Sequence, residues 1–169
     1  MALPVYDVSV ATFIRGLSNL SAVLEKGEAH AKEQGKGDAL ISARLFEDML
    51  PLSAQVQIAS DTAKGAAARL AGVEIPSFED SETSFADLRA RIAKTIDFLK
   101  TITPAQLEGS ETRDIELKLR IRTLQFTGAS YLLGFVLPNF YFHLTTAYDI
   151  LRHNGVPLGK QDFLNGANQ

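Results

Sequence analysis

The chain has 169 residues, 46% of them hydrophobic and 22% charged, which is enough for one compact core and unlike the composition of a disordered segment. A net charge of −3, with Lys and Arg scattered rather than clustered, excludes the electrostatic footprint of a nucleic-acid binder, so no DNA or RNA partner is expected. The absence of cysteine excludes a disulfide framework, a thiol nucleophile and a thiolate metal site, and leaves packing to hold the fold.

The opening residues MALPVYDVSV have neither the basic flank nor the long apolar run of a signal peptide, which gives a cytoplasmic expectation. From Asp7 to Gln34, apolar residues fall at Val10, Phe13, Ile14, Leu17, Leu20 and Leu24, the spacing of one helical face. This first helix ends at the glycine-rich Gly35 to Gly37. After a connection through LISARLFEDML, a second helix from Asp48 to Ala71 turns Leu52, Val56, Ala59, Ala63, Ala66 and Leu70 to one side. Pro51 suits its first turn and Gly72 its C-terminal cap.

VEIPSFEDSETS reads as a polar loop, and Ser84 followed by Asp87 has the spacing of an N-terminal capping pair. A third helix follows with the stripe Phe85, Leu88, Ile92, Ile96 and Leu99, and TPAQL marks a new turn. Between Arg113 and Phe126 the period changes to two: Ile115, Leu117, Leu119 and Ile121 alternate with Glu116, Lys118, Arg120 and Arg122, as in a strand or small hairpin. A fourth helix begins near Thr127 and ends at Asn154-Gly155. The tail VPLGKQDFLNGANQ is expected to pack as irregular structure as far as Phe163. With no internal repeat or low-complexity segment, a single domain over residues 1–169 is expected. Its class is all-α: a four-helix bundle with a small β-hairpin or extended segment before the last helix.

The fourth helix carries Phe135, Val136, Leu137, Phe140, Tyr141 and Phe142, which point to every side, so one intramolecular face cannot bury them all. A second copy of the chain is the expected cover, making the protein a homodimer. The apolar run 131–144 is too short, and too interrupted by Gly134, Pro138, Asn139 and His143, to span a bilayer, so no membrane partner is expected.

The order of these elements, together with PNFYFHLTTAYDILRHNGVPLGKQDF, resembles the DinB-like four-helix-bundle superfamily. More narrowly, SARLFEDMLPL, DMLPLSAQVQIASDTAKGAAARLAG, PSFED and LPNFYFHLTTAYDILRHNGVPLG are similar to a bacterial domain family with no assigned function, over nearly the whole chain. The superfamily resemblance implies a divalent metal held by three His residues, one on the second helix and two on the last at HxxxH spacing. In this chain Gln55 falls where the second-helix His would be, Asn139 takes the first place of the pair, and His143 keeps the second. A carboxamide oxygen is a poor ligand for zinc or nickel, so no metal and no cofactor is expected. The expected function is therefore non-catalytic binding of a small molecule or a partner in a bundle cavity near Gln55, Asn139, Tyr141 and His143. The alternative is an enzyme, a degenerate relative of the metal-dependent, thiol-linked transferases, with His143 as the surviving ligand and Asp48 or water completing its shell.

Plainer roles exist for each of these residues. His143 suits a core histidine with hydrogen-bonded ring nitrogens, Asn139 suits carbonyls freed by Pro138, and Gln55 suits a similar task across the interior. His153 sits in the last turn, where the helix dipole favours a partly charged imidazole, and His30 reads as solvated. Other catalytic patterns are missing: the sequence has no GxSxG elbow, phosphate loop or GxGxxG motif. The acidic neighbours Glu47-Asp48 and Glu79-Asp80 need not converge in space.

Overall fold

A computed structural model describes residues 3–119 and 121–168. Met1, Ala2 and Gln169, at the ends of the expected domain, and Arg120, one polar position of the alternating stretch, lie outside the described residues.

The first helix opens with a π-helical turn over Asp7–Ala11 and continues as α1, Thr12–Glu33. Val10, Phe13, Leu17, Leu20 and Leu24 are buried and Ile14 half-buried, as their spacing predicts. The chain leaves α1 through Gly35 and Gly37, whose φ angles of 66° and 54° suit glycine. The second helix, α2, is Leu52–Ala71 and starts later than the apolar pattern suggests, because Pro51 caps it in an extended conformation instead of joining its first turn. At the other end Gly72 adopts φ 70°, and the Val73 N–H returns to the Ala68 carbonyl.

The third helix, α3, is Phe85–Lys100 and begins with the expected capping pair. Ser84 Oγ accepts from the Asp87 N–H at 3.0 Å while Asp87 Oδ2 accepts from the Ser84 N–H at 3.0 Å. Its direction sets the topology. Residues 73–83 do not turn back at once but run along α2, so that Phe78 meets Lys64 and Glu82 meets Gln57 before α3 begins. The crossover makes α2 and α3 parallel neighbours, with Arg91 beside Asp61. α1 runs opposite to both, its Glu28 pairing with Arg89 near the start of α3.

A two-stranded antiparallel hairpin follows, β1 (Asp114–Lys118) and β2 (Thr123–Thr127), with Ile115 opposite Phe126 and Leu117 opposite Leu124. Ile115 and Leu117 are buried as the alternation predicts, but Leu119 and Ile121 are not. The Leu119 N–H bonds the Arg122 carbonyl at 2.8 Å and closes the turn there, which ends the pleat and leaves Ile121 90% exposed.

The last long helix has three parts: α4 (Gly128–Tyr131), a π-helical stretch over Leu132–Val136, and α5 (Leu137–His153). Pro138 brings no N–H to the ladder, and just before it the Leu137 N–H reaches back five residues to Leu132. Val136 and Phe140 are buried and Phe135 and Leu137 half-buried, whereas Tyr141 and Phe142 face outward, so the bundle encloses all but one side of this helix.

The tail is helical rather than irregular. A short α6, Lys160–Asn165, starts where Asp162 accepts from the Gly159 N–H at 2.7 Å, and a 3-10 turn over Gly166–Asn168 follows. Asn19 on α1 holds it, donating to the Phe163 and Leu164 carbonyls and accepting from the Ala167 N–H. A single apolar cluster joins the long helices and the hairpin. Among the described residues no helix is long and apolar enough to cross a membrane.

Candidate functional site

α2 and α5 run antiparallel, and three polar links tie this last helical run to α2. His143 Nδ1 meets Gln55 Oε1 at 2.7 Å, Asn139 Nδ2 donates to Thr62 Oγ1 at 2.9 Å, and Arg69 Nη1 donates to the Tyr131 hydroxyl at 3.1 Å. The first link fixes a proton. Gln55 Nε2 donates to the Leu50 carbonyl at 3.0 Å, which orients the amide and turns its oxygen onto the imidazole. An amide oxygen only accepts, so His143 Nδ1 carries the hydrogen and Nε2 keeps its unshared pair.

His143 is only 8% exposed, and burial lowers its pKa below the usual 6.5, so the neutral ring predominates at pH 7. Nε2 has no hydrogen-bond partner among the described residues and is not among their sealed, unpartnered atoms. The Phe142 ring stands edge-on to the imidazole with centroids 5.2 Å apart.

Of the four residues singled out from sequence, Gln55 and His143 thus come together, and Asn139 lies one helical turn away. Asn139 does not serve the carbonyls near Pro138; its amide reaches across to α2 instead. Tyr141 faces another side, where it lines a recess of about 250 Å³ with Arg15, Asn19, Leu144 and Phe163. Asp48 is exposed in the turn before α2, His153 is exposed at the end of α5, and His30 is half-buried rather than fully solvated.

The superfamily's three-imidazole metal site does not fit this arrangement. Gln55 spends its oxygen on the His143 proton, Asn139 spends an amide hydrogen on Thr62, and one imidazole nitrogen remains. Among the described residues no three His, Asp or Glu side chains gather as a metal site requires.

A second polar cluster escaped the sequence reading. The Arg91 side chain, 1% exposed, places Nη1 2.9 Å from the Glu79 carbonyl, 2.9 Å from Glu82 and 3.0 Å from Asp80, and Nη2 3.0 Å from Asp61. Lys64, also buried, pairs with Asp61 at 2.9 Å and stands 3.9 Å from the centre of the Phe78 ring, while Lys94 stands 4.1 Å from it. Burial alone would raise the Glu82 pKa, but hydrogen bonds from Gln57 and Arg91 outweigh it and hold the carboxyl below the usual range. The cluster fastens the crossover to α2 and α3 and borders an open recess of about 540 Å³. Its sequence signal is an arginine three residues after Leu88, on the buried stripe of α3.

A family model described as a domain of unknown function, DUF1993, matches residues 5–164. The crystal structure of a DinB family member from Shewanella denitrificans is 42% identical, covers 94% of this chain and 90% of its own, and superposes with a TM-score of 0.88. No curated protein matches the chain.

Proposed function

The chain belongs to the DUF1993 family of domains of unknown function, within the DinB-like superfamily, and from that premise we propose that it is a cytoplasmic, non-catalytic binding module that holds a small molecule at His143. The observation that carries this reading is the chain of bonds from the Leu50 carbonyl through Gln55 to the imidazole, which leaves Nε2 as one oriented acceptor. No carboxylate or hydroxyl is bonded to the ring among the described residues, so the imidazole has no partner with which to relay a proton. It selects a ligand by accepting an O–H or N–H.

The apolar neighbours complete the chemistry. Phe142 beside the ring and Leu50 at the other end of the bonded chain are both exposed, and they favour an apolar body on the ligand. Binding also depends on pH in a definite direction. Nε2 accepts only while the imidazole is neutral, so affinity is retained above the lowered pKa of His143 and lost as the pH falls through it.

Para-cresol and its methyl ether form a matched pair of probes, the ether carrying a methyl group where para-cresol carries the hydrogen it can donate. At pH 7 para-cresol is expected to move the ring resonances of His143 saturably, and the ether is not. Equal responses to the two probes, or no response to either, would remove the hydrogen-bonding role.

A further inference from the structure

We propose that the outward side of α4–α5 is the interface of a homodimer, covered in solution by the same side of a second copy of this chain. The bundle leaves Leu133, Gly134, Pro138, Tyr141, Phe142 and Thr145 exposed along this helical run. Between Arg122 and Asp149 the chain has no Lys, Arg, Asp or Glu, so the exposed side lacks the charges that normally keep a surface helix in water. Leu3 shares a recess with Leu133, and Leu164 shares one with Tyr141, which extends the apolar area beyond the helix itself.

Size supports an interface. Leu3, Leu133, Tyr141, Phe142 and Leu164 are 76%, 61%, 37%, 55% and 45% exposed, and at about 200 Å² for a fully exposed large side chain they present on the order of 500 Å². A standard interface takes about 800 Å² from each partner, a little over half of it non-polar. This one face supplies that non-polar share.

Charge selects the occupant. The chain has net charge −3, the helical run as far as Asp149 carries no Lys or Arg, and Arg15 beside Tyr141 and Leu164 is a single cation at the rim, too little to hold an anionic bilayer. Two copies meeting through the uncharged part of the helical run oppose no like charges along it, with Glu111 and Arg15 left at the rim, and a two-fold axis closes the pair. At Gly134 a side chain would meet no atom within 4 Å, so the face is open there for the other helix to approach. Phe142 is common to this face and to the surroundings of His143, whereas Leu133 and Tyr141 are not bonded to that site among the described residues.

Sedimentation of the full chain tests this. At micromolar concentration the wild type is expected at twice the chain mass of 18.4 kDa. The double variant Leu133→Glu/Phe142→Glu is expected at the monomer mass with wild-type helicity. Gly134→Arg, which displaces no packed atom, is the second variant if the first does not fold, and it is expected to weaken the dimer likewise. A monomeric wild type, or folded variants that remain dimeric, would overturn the proposal. So would wild-type protein that stays monomeric and sediments with phosphatidylserine vesicles through Leu133 and Phe142, which would give the face to lipid.

Discussion

Leu17→Asp is expected to leave the chain without a stable folded state. Leu17 is fully buried on α1, inside the apolar cluster shared by the long helices, and an ionised carboxylate there would have no water. Even after its pKa shifts to keep it neutral, burying the acid costs several kcal/mol, comparable with the roughly 5–15 kcal/mol that holds a domain together. Ile92→Asp, on the buried side of α3, is expected to do the same from across the bundle. Far-UV circular dichroism and thermal melting check both. Wild-type helicity with an unchanged melting temperature would place these residues on the wrong faces of their helices.

Arg91→Ala is expected to cost about 3 kcal/mol, the lower end of what breaking a buried ion pair costs, because Asp61 and Asp80 keep much of their solvent while Glu82 does not. For a chain of this length that is a fall of about 6–12 °C in melting temperature. The acid dependence carries a sign. Glu82 is more acidic folded than unfolded, so its contribution is present above about pH 4.5 and disappears as the pH falls through its lowered folded value. Protonating Glu82 in the wild type removes much of what the substitution removes, so the difference between the two proteins should narrow below pH 4.5. A melting temperature within 2 °C of wild type, or a difference that stays constant into acid, would show that Arg91 does not fasten the crossover.

The helices are legible because their information is local. The recurrence of Phe13, Leu17, Leu20 and Leu24 marks a face whichever neighbour covers it, and the Ser84–Asp87 cap and the Gly72 stop act within a few residues. Direction is not local. Nothing in VEIPSFEDSETS alone says that the crossover runs back along α2, since that depends on Phe78, Glu79, Asp80 and Glu82 meeting Lys64, Asp61 and Arg91 from other elements. Where alternation outlasts a strand, as at Leu119 and Ile121, the pattern cannot say where the turn closes. The helical tail was marked by Gly159 and Asp162, a short-range pair without an apolar stripe to draw attention to it.

The site was legible in part. Setting Gln55, Asn139 and His143 against a three-imidazole pattern brings three residues toward the same pair of helices, although Gln55 and His143 are 88 positions apart. The pattern does not reveal the bonds each residue makes in place of a metal. Tyr141 is near them in sequence, but helical residues two apart point about 200° apart, and its side chain lies at the edge of the exposed side, beside α1 and the tail.

The proposed site turns on one atom, the unshared nitrogen of His143, which Gln55 leaves without a hydrogen by bonding the other. A long-range proton–nitrogen spectrum of the imidazole at pH 7, recorded before and after one equivalent of zinc, tests this most directly. The predicted spectrum is that of a neutral ring with hydrogen on Nδ1 and none on Nε2, unchanged by the zinc. A ring protonated on Nε2, or a pattern that zinc replaces stoichiometrically, would contradict it and return the site to metal chemistry.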